Sequence, residues 1–390
     1  MPKIFVTSYP YVYERYFKVF DYFKNKKNLT FLLPAKWKTR SGFIVPPIRD
    51  DIKIIPVKAF FYGSNYPIVK GLLKGWMPAI GKILKQSANP GDILYSASEP
   101  NLLTTLFNSH IARKMKLKNV FFTWQNVHYR ERLNGMKLKI TESVVRRNVA
   151  NSAGAICGNH KSEQILRDYA PAGFKFLRAP ISGVDTKLFQ PTAKSNFRTK
   201  YGLDDNFVIT FAGVIDERKG VLTLIRAFKV VYETMPNARL MIIGTGPLIS
   251  QAERLANELD ITDKVIFINW LANEDLPGVF SSSDIFAYPS EPFGGWEEQF
   301  GYSIAEASAC ELPVISTDTG SISEVVLNNE TGILIEPKDP AQLSEVILRL
   351  ANDENLRKNM GRAGREHILK NFSHEIVAGK MESWLLSLSE

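Results

Sequence analysis

Five short apolar runs between residues 207 and 317 constrain the fold of this chain more than any other feature. They are FVITFAGV (Phe207–Val214), ARLMIIG (Ala238–Gly244), KVIFI (Lys264–Ile268), DIFAYP (Asp284–Pro289) and PVIST (Pro313–Thr317). All are rich in β-branched residues and apolar without alternation, as strands buried on both faces are. Helical patterns separate them at Val221–Met235, Pro247–Leu259, Asn273–Ser281 and Phe300–Cys310. This alternation predicts a parallel sheet covered by helices on both sides. Ligands of such sheets bind beyond the carboxyl ends of the strands, so the loops that follow the runs are where chemistry is expected.

The N-terminal half reads as the same type. KIFVTS, LTFLLP, IKIIPV, DILYS, NVFFTW and GAICG are strand patterns, with helical stretches at Glu14–Phe23, Val69–Gln86, Leu102–Met115 and Leu138–Asn148. A chain of 390 residues exceeds one ordinary core. The sequence therefore predicts two domains, 1–185 and 186–371, joined through PISGVDTKLFQP (Pro180–Pro191), with an amphipathic helix at 372–390 that returns to the first. Charge divides along the same line. Residues 1–185 hold 30 Lys and Arg against 11 Asp and Glu, and the remainder is net acidic. A basic half facing an anionic partner suits nucleic acid, a membrane surface or a lipid phosphate. No nucleic-acid-binding motif occurs, so nucleic acid is not an expected partner. Cys157 and Cys310 lack ligand spacing and read as small core residues. With no run near the roughly 18 apolar residues of a spanning helix, and no secretory core in MPKIFVTSYP, the expectation is a soluble, cytoplasmic protein.

Three constellations fall at predicted strand ends. In FAGVIDERKG (Phe211–Gly220), Lys219 stands at a helix start, where backbone N–H groups already favour an anion, and Arg218 is a candidate second phosphate clamp. In IIGTGPL (Ile242–Leu248) the third glycine of a dinucleotide fingerprint is missing, so the turn reads as structural or as a backbone wall beside a nucleotide. In YPSEPFGGWEEQFGYSIAEA, Glu298 and Glu306 are separated by seven residues with Phe300-Gly301-Tyr302 between them. On a helix that spacing is about 12 Å, which suits a ligand with hydroxyls at both ends and phosphates in the middle. No Asp-x-Asp occurs, and the five histidines show no metal-ligand spacing, so neither a metal nor any other cofactor is expected.

Lys219-Gly220, GTGP, the Glu298–Glu306 spacing around Phe300-Gly301, and PVISTDTG, in this order, resemble glycosyltransferase family 4, the retaining GT-B transferases. The likeness runs from about Ile181, where ISGVDTKLF resembles that family's domain-connecting motif, through Gly332, and more loosely to the end. It implies the GT-B form of α/β fold: two facing Rossmann-like domains with parallel sheets and an interdomain cleft. It also implies that Lys219 stabilises a departing diphosphate, that Glu298 lies at the sugar, and that Glu306 holds the ribose hydroxyls. Gly213, Arg218, Phe300, Gly301 and Tyr302 would complete the donor site. The substrate implied is a nucleoside-diphosphate sugar, and the acceptor a glycan or a lipid-linked sugar in surface polysaccharide or glycolipid assembly. Three departures stand out. Val214 occupies the place of the family's usual Arg, SYPYVYERYF lacks the usual glycine pair, and FFTWQNVHYRE carries Gln125-Asn126 where a His often stands. Gln125, Asn126, His128 and Tyr9 are the acceptor-side candidates. An epimerase or phosphorylase on the same fold, or a non-catalytic nucleotide- or sugar-binding subunit, are the rival readings. Finally, Phe60–Gln86 interleaves aromatic, aliphatic and basic residues, and RKMKLK (Arg113–Lys118) adds a basic run. Both suit peripheral attachment to the inner face of an anionic membrane.

Overall fold

A computed structural model describes residues 1–39, 42–62, 72–192 and 197–389. The chain divides into two compact units: Met1–Gly183 with His374–Glu390, and Val184–Ser373.

In the first unit the strands are β1 (Ile4–Thr7), β2 (Leu29–Pro34), β3 (Trp37–Thr39), β4 (Gly42–Ile44), β5 (Lys53–Val57), β6 (Ile93–Ser96), β7 (Lys118–Thr123), β8 (Gly154–Cys157) and β9 (Lys175–Arg178). Seven of them form one parallel sheet in the order β5-β2-β1-β6-β7-β8-β9, while β3 and β4 make a separate antiparallel hairpin. Every residue of β1, β2, β6 and β8 is buried, which is why these runs carry no polar alternation. The second unit contains β10 (Phe207–Ala212), β11 (Ala238–Ile243), β12 (Val265–Ile268), β13 (Ile285–Tyr288), β14 (Val314–Thr317) and β15 (Gly332–Ile335). Its sheet is also parallel, in the order β12-β11-β10-β13-β14-β15. Counted within each unit, both sheets begin 3-2-1-4-5-6, the Rossmann-like order. The chain leaves the first strand toward opposite edges, and the crevice this opens at the strands' carboxyl ends is the place such sheets bind ligands.

Several expected elements take a different form. The helix anticipated at Glu14–Phe23 is one α-turn, Glu14–Phe17, followed by a 3-10 stretch, Lys18–Tyr22. Phe17, Phe20 and Phe23 are three apart and all buried, with Phe17 and Phe20 packed on Phe31, and three residues per turn aligns them better than 3.6 does. Of the stretch Val69–Gln86, residues 69–71 lie outside the described part, and the helix is Ile80–Ser87, beginning only after Gly75 and Pro78. The expected helix at Phe300 starts at Tyr302. The last helix, His374–Leu386, belongs to the first unit. Its Glu382 accepts from the backbone N–H groups of Lys24 and Asn25 at 2.8 and 2.9 Å, and Val377, Met381 and Leu385 join the core around Tyr11 and Phe31. Among the described residues no helix is long and apolar enough to cross a membrane.

Candidate functional site

The crevice of the second unit lies between β10 and β13, and the loops after these strands bring Lys219 and Glu298 together. The chain leaves β10 through Gly213 and Val214, makes a 3-10 turn at Glu217–Lys219, and enters the helix Val221–Thr234. Asp216 caps that turn by accepting from the N–H of Arg218 at 3.0 Å. Gly220 joins turn to helix at φ +66, and a Cβ there would lie 1.8 Å from the Pro289 carbonyl oxygen. Only glycine allows this approach, which sets Lys219 against the loop after β13. Two hydrogen bonds fix the same contact: the N–H of Glu291 and the hydroxyl of Ser290 both donate to the Arg218 carbonyl at 2.8 Å.

The Lys219 ammonium donates to the Glu298 carboxylate, each side chain about a tenth exposed. Tyr288, at the end of β13, supports both. Its hydroxyl donates to Glu298 Oε2 at 3.4 Å, and its ring centroid lies 5.2 Å from Lys219 Nζ. Burial, reinforced by the Glu298 charge, holds the Tyr288 phenol well above its usual pKa, so it remains a donor. Behind Glu298 the loop after β14 closes in. Ser321 N–H donates to the Glu298 carbonyl at 3.0 Å, and a Cβ on Gly320 would lie 2.0 Å from that oxygen. A cation and a carboxylate are thereby held side by side, with a phenol beside them, at the sheet's binding edge.

The remaining candidates fall around this pair. Gly301, at φ +81, precedes the helix Tyr302–Ala309 that carries Glu306 at a half-buried position. Glu298 precedes this helix in the loop, so the helical rise of about 12 Å does not describe the distance between the two glutamates. Phe300 is buried, its ring packed on Tyr302 at 4.8 Å and Phe372 at 5.2 Å, which turns its side chain into the core. Arg218 reaches back to Asp216 at 3.1 Å, and Val214 is exposed. Gly213 hydrogen-bonds Ile243, and the GTGP turn is stitched to the same loop by Ile215 N–H to Thr245 O at 3.0 Å.

In the first unit, Tyr9 lies after β1, stacked on Trp37 at 4.4 Å with its hydroxyl accepting from Lys74 at 3.0 Å. Gln125 and Asn126 are buried in the loop after β7, and the Gln125 amide donates to the Val127 carbonyl of its own loop. His128 caps the turn Tyr129–Arg132: Nδ1 accepts from Arg130 N–H at 3.1 Å and Nε2 lies 3.3 Å from Asp168. Sequence reasoning passed over Tyr288, Gly320 and Ser321, and in the first unit Glu99. Tyr288 lies within DIFAYP, Gly320 and Ser321 at the end of STDTG, and Glu99 three residues after DILYS, and that position was the available signal.

Chains of known structure share this architecture from end to end. Sucrose-phosphate synthase from Thermosynechococcus elongatus superposes over 100% of this chain and 99% of its own, with a TM-score of 0.76 at 19% identity. Anabaena HepE, solved in complex with UDP, does so over 99% and 100%, with a TM-score of 0.74 at 16% identity. Likeness at such identity defines the fold, the GT-B class of α/β proteins. Residues 193–367, within the second unit, match the family model described as glycosyl transferases group 1. A GDP-mannose-dependent monoacylated alpha-(1-6)-phosphatidylinositol monomannoside mannosyltransferase from Corynebacterium glutamicum is 36% identical over 212 residues, 53% of this chain and 55% of the relative. The capsular polysaccharide biosynthesis glycosyltransferase CapM of Staphylococcus aureus is 32% identical over 186 residues, 46% of each. The chain thus spans about half the length of the curated relatives it matches.

Proposed function

We propose that this protein transfers a hexosyl group from a nucleoside-diphosphate sugar to a glycan or lipid-linked acceptor with retention of anomeric configuration, as a member of glycosyltransferase family 4. The observation that carries the reading is the Lys219–Glu298 pair at the switch point of a group 1 domain. In this reading Lys219 turns from Glu298 to the leaving diphosphate, using the several donors of its ammonium. Glu298, supported by Tyr288, accepts from hydroxyls of the sugar. The N–H groups that open the helix after Gly301 meet the phosphates, and Glu306 holds the ribose. Lysine and helix terminus together supply the charge that a metal ion supplies elsewhere, so transfer is proposed to be metal-independent.

The relatives' names guide the choice of acceptor: one acts on a phosphatidylinositol mannoside and another serves capsular polysaccharide. A lipid-linked acceptor would place the enzyme at the cytoplasmic face of a membrane. The first unit offers a surface for that. A groove between the helices Leu103–Lys114 and Gly135–Ala150 is lined by Leu103, Leu106 and Phe107 together with His110, Arg113 and Arg147, and exposed Met136 and Ile140 stand on the second helix. Apolar side chains flanked by cations suit an anionic interface.

A thermal-shift panel of uridine, guanosine, adenosine and thymidine diphosphates tests the donor half. One of them at 100 times its Kd should stabilise the wild type by about 2.7 kcal/mol, and Lys219→Met should bind it more weakly. No stabilisation by any of the four would remove the reading.

A further inference from the structure

Between Ser290 and Glu298 the loop after β13 doubles back as a short hairpin. Phe293 and Trp296 exchange backbone hydrogen bonds, N–H to carbonyl at 3.0 Å in both directions. Gly294 and Gly295 make the turn between them at φ +59 and +72. Positive φ at both central residues is the signature of the tight turn whose twist matches the chains it joins. Side chains of a directly opposed pair project from one face of a hairpin, so the two rings stand side by side. Both meet solvent: Phe293 is 53% and Trp296 36% exposed. A Cβ on Gly294 would meet no atom of the described residues within 4 Å, so the tip stands clear.

Both ends of this arm are tied to the Lys219–Glu298 pair. At the first, Glu291 N–H donates to the Arg218 carbonyl at 2.8 Å, and Glu291 Oε1 accepts from the Thr223 hydroxyl at 2.6 Å. The Ser290 carbonyl accepts from the Thr317 hydroxyl at 2.5 Å. At the second, Glu298 is held by Lys219, Tyr288 and Ser321. Trp296 precedes Glu298 by two residues, which bounds their Cα separation at about 7 Å, of the order of one pyranose.

The surroundings select the kind of ligand. Between Lys264 and Lys338 the sequence has no Lys, Arg or His, while Glu291 and Glu297 flank the rings. A phosphate or an anionic lipid is disfavoured beside the arm, and a neutral polyol is favoured, because carboxylates accept from hydroxyls. A pyranose fits both features, with a C–H face for the rings and a rim of hydroxyls for the carboxylates.

We propose that the Phe293–Trp296 hairpin receives a pyranose of the incoming acceptor, stacked on Trp296 one ring away from the sugar that Glu298 holds. The proposal rests on the glycosyl-transfer reading and extends it to the choice of acceptor.

The test uses the full chain labelled with 5-fluorotryptophan, with the Trp296 fluorine line identified by its loss in Trp296→Phe. Methyl pyranosides of glucose, mannose, galactose and N-acetylglucosamine are titrated into the protein saturated with the nucleoside diphosphate it binds. At least one glycoside should shift the Trp296 line saturably. Phe293→Ala should weaken that binding roughly three- to tenfold, the range of one aromatic contact. Gly294→Val, which opens the turn and keeps both rings in the chain, should weaken it as well. Calorimetry should give both variants wild-type affinity for the diphosphate and for its glucose or mannose derivative. The proposal is overturned if no glycoside moves the line, or if both variants bind the glycoside as the wild type does. Lost affinity for the diphosphate sugar, with that for the diphosphate kept, would assign the rings to the transferred sugar and overturn it too. Diphosphate binding without glycoside binding would leave the transfer reading standing; failure to bind any nucleoside diphosphate would tell against the reading itself.

Discussion

Replacing Lys219 by Met and Glu298 by Gln, singly and together, separates what their pair does for the fold from what it does for chemistry. Both side chains are about a tenth exposed, closer to the buried limit than to the surface. Breaking a fully buried pair costs about 3–5 kcal/mol, because it strands a charge, whereas a surface pair is worth about 0–1. Tyr288 remains to donate to a stranded Glu298, which lowers the loss. Each single variant should therefore destabilise by about 2–3 kcal/mol. The double variant strands no charge, so it should lose about the same amount rather than the sum, giving a coupling of about 2–3 kcal/mol. For a unit of this size 1 kcal/mol moves the melting midpoint by about 2–4 °C, so the singles should melt about 4–12 °C lower. Urea unfolding of the four proteins measures the cycle. Additivity to within about 0.5 kcal/mol would refute the premise that the two charges depend on one another. A double variant no less stable than either single one, with turnover still lost, is the outcome expected of a catalytic pair.

Other consequences follow from single contacts. Gly220→Ala places a Cβ 1.8 Å from the Pro289 carbonyl in a left-handed conformation; strain and overpacking together should cost about 2–5 kcal/mol, read as a lowered melting midpoint and weaker nucleotide binding. Cys157 and Cys310 are buried, and burial pushes both thiols up, that of Cys310 to about 12. Neither should react with a thiol reagent at neutral pH until the protein unfolds, when both should be counted. Arg113→Glu with Arg147→Glu should reduce cosedimentation with vesicles containing anionic lipid, at about 1 kcal/mol per cation removed, and leave nucleotide binding unchanged.

Where the sequence was readable, one local signal sufficed. Buried parallel strands need unbroken apolar runs, so β10, β11, β13 and β14 announce themselves, and with them the α/β class. Edge strand β9, KFLR, is exposed at both ends and shows no such run. The helix Glu354–Asn371 carries Gly361 and Gly364, and glycine weakens a helical pattern. In the fold Gly361 is a packing position: a Cβ there would lie 2.0 Å from the Glu311 carbonyl. The motif glutamates and Lys219 are visible as local patterns. That Lys219 meets Glu298, 79 residues away, depends on the strand order that makes β10 and β13 neighbours, which no local spacing encodes. Tyr288 and Glu99 escape for a related reason. Each looks like an ordinary strand-end residue until the sheet brings its partners to it.

The central claim, retaining transfer by the Lys219–Glu298 site, is tested most directly by proton NMR at early times. The protein is incubated with an α-linked sugar of whichever nucleoside diphosphate it binds, with water as the only acceptor. The account predicts that the α anomer of the free sugar appears first and mutarotates later, and that Lys219→Met slows its release. First appearance of the β anomer, or release at the wild-type rate in that variant, would contradict it.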